Sequence, residues 1–342
     1  MSARENIIPV FVPHLGCPND CVFCNQRRIS GSQLPATAED VRKAIQEAAA
    51  LPNTGAKRQL AFYGGSFTAI PEEQQLPLLR AAKAALDEGL IDSVRLSTRP
   101  DAIDEGILNT LRAHGVETIE LGAQSLDDEV LRLSGRGHTA EDVEKASRLI
   151  KNRGFRLILQ MMTGLPGDSE EKSIRTAEKL IALEPDGVRI YPTVVVRDTA
   201  LFDLWQAGRY TPHSVEDAVS VCARLLPMFE EAGIPVIRLG LNPTDELSGG
   251  MAAAGAYHPA LGEMVKSRIM LHRAEKLLEG VEAGSAVTLG VHKSRVSQMT
   301  GQKRCNIEAL TKRFSLAFLK VKAIDTSFDG IEILDIKILQ KF

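Results

Sequence analysis

Three cysteines near the start of the sequence have types and spacing that could hold a metal. Cys17, Cys21 and Cys24 form a Cys-x3-Cys-x2-Cys pattern, and the other two cysteines, Cys222 and Cys305, are remote. Three thiolates on one short loop can take three corners of a cubane [4Fe–4S] cluster. A ferredoxin-type electron carrier needs a fourth protein ligand, so the pattern favours an iron left open to a substrate or cofactor.

Zinc binding and disulfide bonding are two other uses of clustered cysteines. Zinc could bind here with His14 or a remote cysteine as fourth ligand, but zinc sites usually use paired Cys-x2-Cys arms. A disulfide framework does not fit an odd number of cysteines with three of them inside eight residues. Iron is therefore the favoured interpretation.

Further glycines and polar residues follow the predicted strands. A glycine pair lets the backbone approach a ligand closely. Each position alone could equally be a plain turn, an ion pair or a satisfied polar group. The strings that contain them are Tyr63-Gly-Gly-Ser-Phe-Thr68, Ser97-Thr-Arg-Pro-Asp101, Glu120-Leu-Gly-Ala-Gln-Ser125, Gly135-Arg-Gly-His-Thr139, Met161-Met-Thr-Gly-Leu-Pro-Gly167, Arg189-Ile-Tyr-Pro-Thr193 and Leu204-Trp-Gln-Ala-Gly-Arg-Tyr210.

Taken in this order, the cysteines and these strings resemble the radical S-adenosylmethionine (SAM) superfamily. Within it they are similar to the radical SAM domain of the Elongator catalytic subunit family, over about residues 8 to 210. The resemblance implies a [4Fe–4S] cluster on Cys17, Cys21 and Cys24, with SAM chelating the open iron. Reduction would cleave SAM to methionine and a 5′-deoxyadenosyl radical, with a flavodoxin or ferredoxin as electron donor.

The resemblance also implies roles for single residues. Gly64 and Gly65 would contact the amino group of SAM. Tyr191 and Arg197 would face the substrate, which in this family is RNA, most plausibly tRNA. The remaining candidates for the SAM pocket are Ser97, Arg99, Gln124 and Arg136.

The sequence also departs from the Elongator pattern. Its cysteines have the compact spacing of the wider superfamily, and no acyl-CoA loop is recognisable after position 210, so acetyl-CoA chemistry is not predicted. Two alternative functions therefore stay open. One is a radical SAM enzyme that acts on a small molecule, and the other is a non-catalytic iron–sulfur protein that binds RNA.

Short β-branched runs alternate with amphipathic helical stretches through the first 190 residues. Strands separated by helices predict βαβ units and a parallel sheet. Six such units without a dinucleotide fingerprint predict an α/β fold, a partial (β/α)6 TIM-like barrel, with its chemistry at the C-terminal ends of the strands. The predicted strands are 8–12, 60–63, 94–97, 118–121, 157–160 and 187–191; the predicted helices are 38–51, 72–90, 104–114, 139–154 and 170–183.

Three segments are predicted along the chain. Residues 1–212 form the barrel core, residues 213–290 a mostly helical extension, and residues 291–342 a basic α/β tail. The tail has ten Lys and Arg against five Asp and Glu, a net charge of +5, whereas the whole chain carries −3. A basic appendage on an acidic body suggests an anionic partner.

The tail contains a turn that resembles the GxxG loop of KH RNA-binding domains, which clamps a nucleotide backbone. Gly301 matches the first glycine, Lys303 adds a cation, and Arg304 replaces the second glycine. These three residues are the predicted RNA contacts. The alternative is a small α/β cap that only packs on the barrel.

No apolar run approaches the roughly 18 to 20 residues that span a bilayer, and the first six residues, Met-Ser-Ala-Arg-Glu-Asn, contain no apolar signal core. The sequence therefore predicts a cytoplasmic protein without a membrane partner.

Overall fold

The computed structural model describes residues 5–12, 21–24, 35–52, 55–242 and 247–338 of the 342-residue chain. The predicted ligand Cys17 lies outside these residues. The chain divides into two compact units. The large unit comprises residues 1–213 and 228–257, and the C-terminal unit comprises residues 214–227 and 258–342.

Strands and helices alternate along the large unit, as the sequence predicts. The elements are β1 (Glu5–Val12), α1 (Ala38–Ala49), β2 (Lys57–Gly64), α2 (Glu72–Asp87), β3 (Ser93–Thr98), α3 (Glu105–Ala113), β4 (Val116–Gln124), α4 (Asp128–Leu133), α5 (Ala140–Asn152), β5 (Arg156–Thr163), α6 (Glu170–Ala182), β6 (Gly187–Pro192), β7 (Val194–Val196), α7 (Ala200–Gln206), α8 (Val215–Glu231), β8 (Val236–Leu239) and β9 (Ala252–Gly255). Helix α8 begins in the C-terminal unit and ends in the large unit.

Side-chain caps explain where several of these helices begin. Thr37 accepts a hydrogen bond from the backbone of Asp40, and the Asp40 carboxylate accepts one from the backbone of Thr37. Thr139 and Asp142 form the same capping box at the start of α5. Each box satisfies two backbone donors that the helix leaves unpaired.

Seven parallel strands form the main sheet, in the order β1-β2-β3-β4-β5-β6-β8. The sheet is curled, as a side-chain contact between distant strands shows. Arg189 on β6 donates from Nη2 to the Tyr63 hydroxyl on β2 at 3.2 Å. In a flat sheet, strands four places apart would be about 19 Å apart. The sheet is a half-barrel, which confirms the predicted partial TIM-like fold.

The helix-facing side of this sheet is an apolar core. Buried Val, Leu, Ile and Phe side chains from every second position fill it, as expected where helices cover a parallel sheet. Those that are 0–1% exposed include Leu60, Phe62, Leu96, Ile119, Leu121, Leu157, Leu159, Val188 and Ile190. The opposite, concave side carries polar and charged residues instead.

The C-terminal unit is an α/β region built on a three-stranded sheet of order β11-β10-β12. Strand β10 pairs parallel with β11 and antiparallel with β12. Its core includes Val287, Leu289, Val291 and Leu310, which are at most 1% exposed. The elements are α9 (Leu261–Leu278), β10 (Ser285–His292), α10 (Val296–Thr300), α11 (Cys305–Arg313), β11 (Phe318–Ile324) and β12 (Ile331–Ile338).

The unit boundaries differ from the predicted divisions at 212 and 290. Segment 228–257 returns to the large unit and adds β8 to the edge of its sheet. β8 is a short edge strand of four residues, Val-Ile-Arg-Leu, whose Ile237 is 44% exposed, and its place in the sheet depends on pairing with β6. β10 begins at Ser285, before the predicted start of the tail. In the part of the chain that the structure describes, no helix is both long and apolar enough to cross a membrane.

Candidate active site

The cysteine turn follows β1 and is fixed at both sides by backbone hydrogen bonds. Cys24 donates its N–H to the Cys21 carbonyl at 3.0 Å, so Cys21 and Cys24 lie one turn apart. Val22 donates to the Ser134 carbonyl at 3.1 Å, and its own carbonyl accepts from Leu201 at 2.7 Å. Two of the three predicted cluster ligands are therefore held together at the C-terminal edge of the sheet, and Cys17 lies outside the described residues.

A buried arginine joins this turn to the ends of the strands. Nη1 of Arg136 lies 3.4 Å from the Cys21 sulfur, and Nη2 donates to the Gly122 carbonyl at 2.6 Å. The Arg136 carbonyl accepts from Nη2 of Arg99 at 2.7 Å, and Arg99 also pairs with Asp101. Arg99 and Arg136, two of the predicted SAM-pocket residues, thus belong to one network that reaches a cysteine. Their charges would offset the negative charge of thiolates that bind iron.

The end of β4 is irregular, and a glycine makes room for that irregularity. Gln124 has φ +65°, uncommon for a residue other than glycine, and is 5% exposed. Its Oε1 accepts from Nε2 of Gln160 at 3.2 Å. A Cβ at Gly122 would lie 2.9 Å from the Gln124 amide and 3.3 Å from the Arg136 guanidinium. Sequence reasoning singled out Gln124 and missed Gly122; the register of β4 with β5 shifts between these two residues.

The glycine pair after β2 packs on the backbone where the cysteine segment begins. Gly64 has φ +106°, and a Cβ there would lie 2.6 Å from the Val12 carbonyl oxygen. Gly65 donates its N–H to that same oxygen at 3.0 Å. The Gly65 N–H is therefore already used in this contact. This close approach, with two thiols one turn apart and a guanidinium beside them, fits a cysteine-bound cluster that carries a ligand.

The concave side of the sheet carries a charged cluster that sequence reasoning missed. Nε of Arg189 lies 3.2 Å from Oε1 of Glu120, and Nη1 donates to the Tyr191 hydroxyl at 3.1 Å. With the bond to Tyr63, one guanidinium holds a carboxylate and two phenols. Burial raises the pKa of Glu120, while Arg189 and Arg95 lower it. A search for polar residues at alternate positions of β4 and β6 would have found this cluster.

Ser97, Tyr191 and Arg197 are the other predicted site residues of this unit. Ser97 is half-buried on β3 and pairs in register with Glu120. Burial raises the pKa of Tyr191, and Arg189 lowers it. Arg197 is exposed; its Nε donates to the Gly250 carbonyl at 3.1 Å. Among the contacts of the described residues, none brings Arg197 to the charged cluster around Arg189.

A cavity of about 430 Å³ lies beside the turn that follows β5. Asp168 organises this turn: its carboxylate accepts from the backbone of Gly164 and Ser169 and from the Ser173 hydroxyl, each at 2.8 Å. Burial raises the pKa of Asp168, and these hydrogen bonds lower it. The lining residues are Leu133, Gly164–Asp168, Leu204, Arg209, Tyr210, Thr211 and His213.

His138 is a buried histidine in the Arg-Gly-His-Thr string. Its Nε2 lies 3.2 Å from the Ala123 carbonyl, so this nitrogen carries the proton. Burial, followed by the nearby Arg136 charge, lowers the pKa of His138 to about 4. The side chain is therefore neutral at pH 7 and supports the end of β4.

The predicted RNA contacts lie in the C-terminal unit, on the turn between α10 and α11. Gly301 has φ +77°, and a Cβ there would lie 2.6 Å from the Cys305 sulfur. Lys303 and Arg304 have φ +52° and +67°, so both take the left-handed backbone that usually favours glycine. Both side chains are exposed. The turn therefore presents two cations although Arg304 stands in place of the second glycine.

Two family models match most of this chain. The family model of the radical SAM superfamily matches residues 11–180, and that of the Radical_SAM C-terminal domain matches residues 185–270. Elongator complex protein 3 of Homo sapiens is 29% identical over 248 residues, which are 67% of this chain and 44% of that protein. The tRNA uridine(34) acetyltransferase of Methanocaldococcus infernus is 28% identical over 62% of this chain and 46% of its own length. The chain thus spans less than half the length of these relatives.

Two solved structures have a similar fold. The archaeal Methanocaldococcus infernus Elp3 with an N-terminal deletion superposes with a TM-score of 0.62 at 23% identity, covering 83% of this chain and 67% of that one. HydG, a maturase of the [FeFe]-hydrogenase, superposes with a TM-score of 0.54 at 15% identity, covering 77% and 55%.

Proposed function

Because this chain belongs to the radical SAM superfamily of enzymes, we propose that it binds a [4Fe–4S] cluster at Cys17, Cys21 and Cys24, cleaves SAM there and modifies tRNA. The observation that carries this proposal is the contact of Arg136 with the Cys21 sulfur and with Gly122. It ties the cysteine turn to the strand ends where a barrel of this type does its chemistry.

A cluster bound at these cysteines would supply the electron that divides SAM into methionine and a 5′-deoxyadenosyl radical. The protein's own residues bind and orient SAM. In this proposal Gly64 and Gly65 contact its amino group. The SAM pocket is completed by Ser97, Arg99, Gln124 and Arg136, of which the last three are buried and anchored by hydrogen bonds.

The substrate side of the proposal rests on the charged cluster and on the C-terminal unit. Tyr191 accepts a hydrogen bond from Arg189, so its own proton is free to be donated to a substrate oxygen or nitrogen. Arg197 is proposed as a second substrate contact. Gly301, Lys303 and Arg304 would bind the RNA backbone, and the +5 charge of residues 291–342 favours a polyanion. The names of two relatives, Elongator complex protein 3 and tRNA uridine(34) acetyltransferase, support tRNA.

The deciding experiment measures 5′-deoxyadenosine release by the reduced, cluster-loaded protein with and without tRNA. The electron would come from a flavodoxin, a ferredoxin or dithionite. We expect tRNA to increase the release and a modified nucleoside to appear in the digested tRNA. The variant Lys303→Glu/Arg304→Glu should lose this increase but keep the basal release, because the large unit supplies SAM cleavage.

Two results would redirect the proposal. If tRNA changes neither the rate nor its own nucleosides while SAM is still cleaved, a small-molecule substrate becomes the better explanation. If the reduced protein binds the cluster but never cleaves SAM, the chain is a non-catalytic iron–sulfur protein.

A further inference from the structure

An exposed aromatic ring in the C-terminal unit is held rigidly from one side. Phe328, in the loop between β11 and β12, is 55% exposed. The guanidinium carbon of Arg295 lies 3.9 Å from the centre of its ring, and Arg295 itself is 7% exposed. The His292 ring lies beside it, with 5.6 Å between the ring centres. A buried cation therefore supports the ring, and more than half of the residue faces solvent.

The arginine that supports this ring is itself fixed by three acceptors. Nη1 of Arg295 donates to Oε1 of Gln298 at 2.5 Å, and Nη2 donates to Oδ1 of Asp329 at 2.6 Å. Nε donates to the carbonyl of Phe328 at 3.4 Å. Arg295 is therefore hydrogen-bonded to the same loop that carries the Phe328 ring. The orientation of the ring is thus set before any ligand arrives, which lowers the entropic cost of binding.

A basic cavity begins at the residue that follows the ring. It measures about 350 Å³ and is lined by Arg273, Lys276, Leu277, Asp329 and Ile331. Nη1 of Arg273 donates to the Asp329 carbonyl at 3.2 Å and lies 3.7 Å from the Asp329 carboxylate, so it anchors the same loop and offsets the one acidic side chain of the lining. Lys276 is exposed, and among the described residues it forms no ion pair. A cation beside an aromatic ring complements a phosphate beside a base.

We propose that Phe328 is a stacking platform for one unpaired base of RNA and that Lys276 and Arg273 bind an adjoining phosphate. This inference rests on the proposed function for the choice of RNA, and it adds a second nucleotide site to the turn at 301–304. Unpaired bases of RNA are commonly recognised by stacking on aromatic side chains. Single exposed apolar residues are frequent on protein surfaces. Phe328 differs from them because Arg295 lies over its ring and a basic cavity lies beside its loop.

Phe318 provides a matched control within the same unit. It is 54% exposed at the start of β11. The described part of the chain offers it no ring partner and no cation over its ring. A substitution there removes a similar exposed aromatic surface without touching the proposed site.

The test measures binding of full-length protein to a short oligouridine and to tRNA between about 50 and 200 mM KCl. Phe328→Leu should weaken binding by about 5- to 150-fold, the loss of one base–aromatic stack, with an unchanged salt slope. Phe328→Trp should keep or improve binding, and Phe318→Leu should not change it. Lys276→Gln should lower the salt slope by about 0.7, as expected for one single-strand phosphate contact. An oligouridine with 5-iodouridine should cross-link to Phe328 under ultraviolet light.

Some outcomes would overturn the inference. If Phe328→Leu binds RNA as tightly as the wild type, or if Phe318→Leu loses as much, the ring is not a platform. If RNA binding depends on Lys303 and Arg304 but not on Phe328, the inference fails while the proposed function stands. If the wild type binds no RNA at all, both fail, and a protein partner for this surface would be tested next. Equal melting temperatures for Phe328→Leu and Phe328→Trp would separate lost stacking from misfolding.

Discussion

Nε of Arg189 on β6 lies 3.2 Å from Oε1 of Glu120 on β4, and strand β5 lies between their two strands. The side chains are 14% and 5% exposed. A charge taken out of water this far is tolerated only when an opposite charge or hydrogen bonds compensate it. The pair therefore joins β4 to β6 across β5 on the concave side of the sheet, and the burial of each charge depends on the presence of the other.

Removing only one partner should be strongly destabilising. We expect Arg189→Met to lower the free energy of unfolding by about 3–5 kcal/mol, because it leaves Glu120 buried without its countercharge. The double variant Glu120→Gln/Arg189→Met should lose much less. Arg148→Met is the control, since the Arg148–Glu144 pair is exposed and should contribute at most about 1 kcal/mol. Urea unfolding checks this, and equal losses for the single and double variants would contradict it.

The cysteine cluster predicts a metal content. Anaerobically purified protein should be brown and contain about four irons per chain, the number in one cubane. Replacing Cys17, Cys21 and Cys24 by Ala should abolish both colour and iron. Cys222→Ala and Cys305→Ala are the controls: burial raises the pKa of the Cys222 thiol to about 12, and Cys305 lies in the other unit. Stoichiometric zinc without iron would rule out this assignment.

Gly64 allows a backbone contact that another residue would block. A Cβ in Gly64→Ala would lie 2.6 Å from the Val12 carbonyl oxygen. The resulting shift of the glycine pair should reduce SAM-dependent release of 5′-deoxyadenosine by about 100-fold, as a displacement of roughly 1 Å can do. Gly89→Ala is matched to it, with φ +70° and open space around the position. If both variants lose activity equally, the contact with Val12 is not what matters.

Buried His138 predicts a dependence of stability on pH. Its pKa is about 4 in the folded protein, against roughly 6.5 in an unfolded chain. As the pH falls from about 6.5 to 4, the unfolded form takes up a proton that the folded form does not. The free energy of unfolding should therefore fall, by up to about 1.4 kcal/mol per pH unit. Urea unfolding of cluster-free protein at several pH values checks this; parallel curves for wild type and His138→Gln would contradict it.

Most of the fold can be predicted from the strand periodicity and the helix caps in the sequence. The six predicted strands and five predicted helices of the barrel all form, with ends that differ by a few residues. The capping box at Thr37 depends on residues three apart, so it can be seen locally. The seventh strand, β8, could not be predicted, because it is a short edge strand whose place depends on pairing with β6.

The candidate site, like the fold, can be predicted from the sequence only in part. Cys21 and Cys24 are three positions apart in the sequence, and a backbone hydrogen bond between them closes a turn. Gly122 and Glu120 were missed because their importance comes from Arg136 and Arg189, which are 14 and 69 positions away and meet them only through the curl of the sheet. Alternation along β4 and β6 marks such positions as polar, but a single sequence does not show which distant side chains meet.

The chain passes between its two compact units three times, near residues 213, 227 and 257. During synthesis, residues 214–227 leave the ribosome before the segment that completes the large sheet, and must wait for residues 258 onward to find their own core. Neither unit can be excised by a single cut. A fragment that ends at residue 212 lacks β8, and one that begins at residue 258 lacks the first part of α8. Separating the two units as single folded pieces therefore requires a circularly permuted or grafted chain.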